Sequence, residues 1–258
     1  MNKILVCVAA ALMALAGQAI AADMPLKAPA YAPTTSWTSC YVGAGGGYGM
    51  ADIDHNVTNA TNTATFDIGH DNAARGWFGT VGVGCDFQMA ERWVIGAFAD
   101  WDWTGIKGQY SFNCPGGCAG PTGYRGELKE HSVWSVGGRL GYVVMPKLLV
   151  FVSGGWTEAR FSEVNYVDGA TGAVSNLQLP RQTVQGYFFG TGYEYALGWL
   201  PNLFWKTEYR YSSFDGVDRA QICLVTGSCG TAGTTHSNDH SRTHQHSVRS
   251  ELVWRFRY

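Results

Sequence analysis

The features the chain lacks narrow its class first. After residue 16 no apolar stretch continues for the roughly 18 residues that a membrane-crossing helix needs, which excludes a helical membrane protein. Charge is scarce: Asp, Glu, Lys and Arg make up 15% of the residues, against about 25% in ordinary soluble domains. The formal net charge of −2 argues against a nucleic-acid binder held by phosphate contacts. There is no nucleophile elbow and no phosphate-binding loop. The chain is therefore not expected to be an enzyme, and no cofactor is expected.

Glycine and aromatic residues are abundant, at 34 residues and 14%. The N-terminus reads as a secretory leader: Lys3, an apolar run from Ile4 to Ala16, then Ala19-Ile20-Ala21 at the spacing a signal peptidase accepts. Residues 1–21 are assigned to a signal peptide, 22–38 to a periplasmic N-terminal segment and 39–258 to one β domain. Cys7 lies inside the apolar run, so it is not placed as a lipoprotein cysteine.

The last strand carries the strongest single signal. Leu252, Trp254, Phe256 and Tyr258 share one face; Glu251, Arg255 and Arg257 share the other with Val253. Such a strand is oily outside and ionic inside, which suits the wall of a membrane barrel. Seven further segments show the same period, at about 39–50, 76–88, 93–105, 132–144, 148–161, 183–196 and 203–213. Short connections around Ala90, Pro146 and Pro201 alternate with long ones at 51–75, 106–131, 162–182 and 214–242. This alternation predicts an all-β, eight-stranded antiparallel up-and-down transmembrane barrel, with both termini on the short-turn side. Gly43, Gly45, Gly46, Gly47 and Gly49 lie on the first strand with no helix after them, so they are read as packing residues and not a nucleotide loop.

The inward face holds the acids Asp86, Asp100, Asp102, Glu194, Glu208 and Glu251, and the bases Arg139, Lys206, Arg210, Arg249, Arg255 and Arg257. An eight-stranded barrel is just wide enough for side chains to fill. An unpaired buried charge costs several kcal/mol. These groups are expected to pair and plug the lumen. An acid pair made by Glu208 with Asp100 or Asp102 is read as structural rather than catalytic.

The chain resembles the small outer-membrane immunogenic, porin-like proteins of alphaproteobacteria, barrels related in architecture to the OmpA transmembrane domain. The residues that carry the resemblance are Ala22-Asp23-Met24-Pro25, Trp37-Thr38-Ser39-Cys40-Tyr41-Val42-Gly43, Gly192-Tyr193-Glu194-Tyr195-Ala196-Leu197, Lys206-Thr207-Glu208-Tyr209-Arg210-Tyr211 and Trp254-Arg255-Phe256-Arg257-Tyr258. The resemblance implies an outer-membrane location, contact with outer-membrane lipid and lipopolysaccharide, and a monomer. It also implies that Trp254, Phe256 and Tyr258 form the signal read by the barrel-assembly machinery. Family members are surface antigens and envelope-integrity proteins, sometimes called porins. Some relatives are implicated in haemin binding, but no residue here transfers that role.

Six cysteines follow the leader, an even number that suggests disulfides in an exported chain. The expected pairs are Cys114–Cys118, Cys223–Cys229 and Cys40–Cys85, with a zinc site as the rival. His236, His240, His244 and His246 cluster at the end of the fourth long connection, where a solvated polar loop competes with a metal site. The primary expectation is a non-catalytic barrel for envelope integrity and surface exposure. The alternatives are a small-solute diffusion porin and a metal- or haem-binding surface protein.

Overall fold

The computed structural model describes residues 36–112, 123–227 and 229–256. Among them are twelve strands and no helix. These are β1 (Ser39–Asn59), β2 (Thr65–Met89), β3 (Trp93–Thr104), β4 (Lys107–Phe112), β5 (Tyr124–Met145), β6 (Leu148–Phe161), β7 (Val164–Asp168), β8 (Val174–Leu179), β9 (Gln182–Ala196), β10 (Leu203–Phe214), β11 (Val217–Cys223) and β12 (Thr235–Phe256). The leader, most of the 22–38 segment, Cys114, Cys118, Arg257 and Tyr258 lie outside the described residues.

Eight strands close a ring in the order β1-β2-β3-β5-β6-β9-β10-β12, and β12 pairs back onto β1 from Cys40↔Phe256 to Asn59↔Ser237. Every pairing is antiparallel. Closure leaves no unpaired edge, which a bilayer would penalise because no water is there to satisfy it. The outer face carries Val42, Val81, Val83, Ile95, Leu140, Val150, Val152 and Leu252, all exposed. Outward aromatics ring this belt. Trp93, Tyr195, Trp205 and Phe256 lie toward the short turns, and Trp77, Trp103 and Tyr187 toward the other end. About ten residues of tilted strand cross a bilayer, and β3 runs from Trp93 to Trp103 between the two rings.

The long connections expected at 51–75, 106–131, 162–182 and 214–242 are corrected here, because most of their described residues are strand. β1 and β2 continue upward to a hairpin whose tip is residues 60–64. β4 pairs with β2 and β5, β7 with β5 and β8, and β11 with β8 and β12. With β1 paired to both β2 and β12, this makes a second closed ring above the first, in the order β1-β2-β4-β5-β7-β8-β11-β12. Two-residue breaks at 105–106, 162–163, 180–181 and 215–216 separate its short strands from those of the lower ring. A bulge in β5 between Glu130 and Ser132 sits at the same height.

The upper ring escapes an oily-outside pattern because it inverts the polarity of the lower one. On β1, Tyr48 and Met50 face outward within the belt; above it Ala51, Ile53 and Val57 face inward and Asp52 and Asp54 outward. The upper ring thus encloses an apolar core of Ile53, Val57, Tyr110, Phe112, Tyr124, Leu128, Phe161, Val164, Tyr166, Leu177, Leu179, Val184 and Phe214. At the short-turn end a second cluster forms from Trp37, Tyr41, Val94, Phe98, Leu149, Phe188, Phe204 and Val253.

The two faces differ in how they tolerate truncation. Phe161→Ala, in the upper core, is expected to cost about 3–5 kcal/mol in urea unfolding followed in micelles. Phe189→Ala, on the outer face, is expected to cost clearly less, because detergent or lipid fills the space.

Candidate functional site

Strand alternation alone turns the charged residues inward, since their neighbours face the apolar belt. Glycines leave room for them. A Cβ on Gly96 would collide with the Asp86 carboxylate, and one on Gly190 would meet Glu208 Oε1 at 2.6 Å.

The charges lie in tiers between the two apolar clusters. In the lowest, Asp86 and Glu194 alternate with Arg139 and Arg255. Arg139 bridges Asp86 and Glu194, the latter at 3.1 Å; Arg255 donates to Glu194 Oε1 at 2.7 Å and to Asp86 Oδ2 at 2.7 Å. Arg255 also donates to the Trp37 carbonyl at 3.2 Å and to Ser39 Oγ at 3.1 Å, and its guanidinium lies 5.0 Å from the Trp37 and Tyr41 ring centres. Aromatic faces thus cover the cations from below. In the middle tier Lys206 Nζ meets Glu251 at 2.9 Å and Glu208 at 3.9 Å. In the upper tier Arg210 binds Asp100 through two nitrogens at 3.1 and 3.0 Å and meets Glu208 at 3.2 Å. Arg249 spans Asp100 at 3.2 Å and Asp102 at 2.9 Å. Two-pronged guanidinium contacts of this kind are the stronger form of ion pair.

The six inward acids named from the sequence and five of the six bases therefore come together, while Arg257 lies outside the described residues. All eleven are buried. A cavity of about 10 Å³ remains beside Phe78, Asp102, Arg210 and Arg249, room for about one water molecule.

Several inward residues escape sequence reading. Glu130 is buried just before the β5 bulge, which reverses the phase that Trp134 sets. In the upper ring, buried Asp239 accepts hydrogen bonds from Tyr110 at 2.6 Å and Arg219 at 3.0 Å and lies 3.1 Å from His55 Nδ1. Burial first, then the Asp239 carboxylate, holds the Tyr110 phenol well above its usual range, so it stays a donor. Asn72 Nδ2 lies 3.0 Å from His55 Nε2. Trp37, assigned by sequence to the segment before the barrel, is fully buried in its short-turn mouth, with its ring 5.2 Å from Phe204. Its hydrophobicity, just before the first strand, is the signal that could have placed it.

The four histidines are strand residues, not the loop residues expected. β12 begins at Thr235; of the four, His240, His244 and His246 face outward along one strand, while His236, at a register shift, has its ring 6.2 Å from that of buried Tyr124. The four spread over about 33 Å at strand spacing, too far to converge. His236 Nδ1 lies 2.9 Å from the Cys229 carbonyl, and His240 Nδ1 lies 2.7 Å from Asp218. His244 and His246 meet the hydroxyls of Tyr211 and Tyr209. Among the described residues no three His, Cys, Asp or Glu side chains are grouped to hold a metal ion. Cys40 and Cys85 are cross-strand partners joined at an Sγ–Sγ distance of 2.01 Å, and Cys223 and Cys229 are also joined. Trp254 and Phe256 face outward at the end of β12.

The paired charges set a test. Arg139→Ala strands Asp86 and Glu194 beside one remaining cation and is expected to cost about 3–5 kcal/mol, read from the urea midpoint of the heat-modifiable band. Replacing all four members of the lowest tier with neutral residues of similar size is expected to cost less than that single change.

Comparison with known proteins places this architecture. A family model described as outer membrane protein beta-barrel domain matches residues 7–256. The 31 kDa outer-membrane immunogenic proteins of Brucella melitensis biotype 1 and Brucella suis biovar 1 are each 28% identical over 251 residues, which is 93% of this chain and 95% of theirs. Among solved structures, the outer membrane protein OprG from Pseudomonas aeruginosa aligns over 86% of this chain and 98% of its own, with a TM-score of 0.51 and 11% identity. That last likeness concerns the fold alone.

Proposed function

The chain belongs to the outer membrane protein β-barrel domain family, and from that premise we propose that it is a non-catalytic, structural barrel that supports the envelope and is exposed at the cell surface. The observation that carries this reading is the filled interior. An aromatic plug, three tiers of paired charge and an apolar core follow one another along the axis, and the cavity among the charges is about 10 Å³. A diffusion pore needs a continuous water path, and among the described residues side chains fill the lower ring along its axis.

The description of the Brucella relatives as immunogenic supports surface exposure. In this reading the chain is exported by its N-terminal leader and handed to the barrel-assembly machinery through Trp254, Phe256 and Tyr258. It then acts as a monomer among outer-membrane lipid and lipopolysaccharide.

Planar-bilayer recording of the purified, folded monomer tests the proposal. No stable openings are expected. Loosening the upper tier with Arg210→Ala and Arg249→Ala together is expected to admit water and produce a measurable leak. Stable openings of the unaltered protein would favour a diffusion porin. Saturable binding of zinc, nickel or haemin that is lost on replacing the four histidines would favour a surface receptor.

A further inference from the structure

The outer face carries an unbalanced charge at one height, where the two rings meet. Arg75, Lys107 and Lys129 are cross-strand neighbours on β2, β4 and β5, in register Arg75↔Lys107 and Lys107↔Lys129. Their row continues through His131 at the β5 bulge and Arg160 on β6, which pairs with Ser132 beside the bulge. Arg181 stands at the neighbouring break before β9. Like charges directly across strands repel, so this row has a cost unless something anionic lies on it. The chain supplies little relief. Glu127 and Glu163 reach Lys107 and Arg181 at 3.9 and 3.2 Å in pairs open to solvent, and the largely buried Glu158 reaches the exposed Arg160 at 3.5 Å. Exposed pairs of this kind contribute little. Arg75 and Lys129 have no carboxylate within ion-pair distance among the described residues.

The surroundings fit the polar boundary of a membrane. The row lies one step above the outward Trp77 and Trp103, the level at which headgroups meet a barrel's aromatic girdle. A polar hollow of about 450 Å³ opens there between His131, Arg160 and Arg181. Below it, an apolar hollow of about 660 Å³ runs over Ala44, Val83 and Ala99 and is walled by Trp101, Trp134 and Trp254. Arg160 joins the two hollows, with its guanidinium 5.9 Å from the Trp101 ring centre.

We propose that this row and the two hollows form a docking site for a phosphorylated outer-leaflet glycolipid, with its phosphates on Lys107, Lys129 and Arg160 and an acyl chain in the apolar hollow. The proposal rests on the outer-membrane reading above and deepens it from general lipid contact to a defined site. Cations at a membrane surface attract anionic lipid headgroups, and guanidinium groups suit phosphate oxygens in particular.

The test is calorimetric titration of the folded, detergent-solubilised protein with bisphosphorylated lipid A, with its dephosphorylated form and with inorganic pyrophosphate. Saturable binding of the bisphosphorylated lipid is expected. Removing the phosphates, or changing Lys107, Lys129 and Arg160 together to Gln, is expected to weaken it by about tenfold or more. Changing Arg92 and Lys147, at the short-turn end, to Gln should leave it unaltered. Lys107→Gln alone, at an exposed position, serves if the triple variant fails to fold, with about a threefold loss expected. Equal affinity of these variants and the unaltered protein would overturn the site, and so would pyrophosphate binding as tightly as the lipid. Insertion into vesicles is measured on the same sample. Failure to insert would remove the outer-membrane reading and the site together, whereas insertion without phosphate-dependent binding removes the site alone.

Discussion

Buried charges that must meet opposite charges are the constraint on which the rest of this structure depends. A membrane wall with an oily outer face sends every second residue inward, and here many of those residues are ionised. In an eight-stranded ring they have nowhere to go but toward one another. Two arginines close the lowest tier by each touching both Asp86 and Glu194, and Arg210 and Arg249 share Asp100 in the upper tier. Each arginine in these tiers also lies against an aromatic face, Arg210 at 4.2 Å from the Phe188 ring centre and Arg249 at 5.4 Å from that of Phe78. A cation that is both paired and stacked loses less on leaving water. The same arrangement that stabilises the wall therefore closes the lumen.

The barrel does not end where the lipid does. Above the breaks at 105–106, 162–163, 180–181 and 215–216 a second ring of the same strand number continues it, with polarity reversed. Within the belt the solvent outside is hydrocarbon, so apolar groups face out and polar groups pack within. Above it the solvent is water, so Ile53, Val57, Phe161 and Tyr166 turn in. One chain thus solves two solvation problems on a continuous sheet. The breaks and the β5 bulge sit at the boundary because there the inward face changes from charged to apolar, and β6–β7, β8–β9 and β10–β11 each reverse phase across their break.

The lower ring was legible in the sequence because its two faces differ so strongly: Trp77, Val81 and Val83 against Thr80 and Asp86 leave one possible register. The inward charges followed from that phase, since only one face of each strand held them. The upper ring was hidden because its outward residues are polar and its strands β4, β7, β8 and β11 are short, a composition shared with surface loops. β12 shows the difficulty most clearly. From Thr235 to Gln245 both of its faces are largely polar, so nothing in the sequence marks the strand start that sets His240, His244 and His246 on one side. Glu130 was hidden by the bulge, and Trp37 by lying before the first periodic residue.

The central claim is that paired charges hold the interior shut. A double-mutant cycle on Arg210 and Asp100, each changed to alanine singly and together in the folded protein in lipid, tests it most directly. The account expects a coupling of about 1.5 kcal/mol or more between the two positions. Additive effects of the two changes would contradict it, because they would mean that these side chains do not depend on each other inside the barrel.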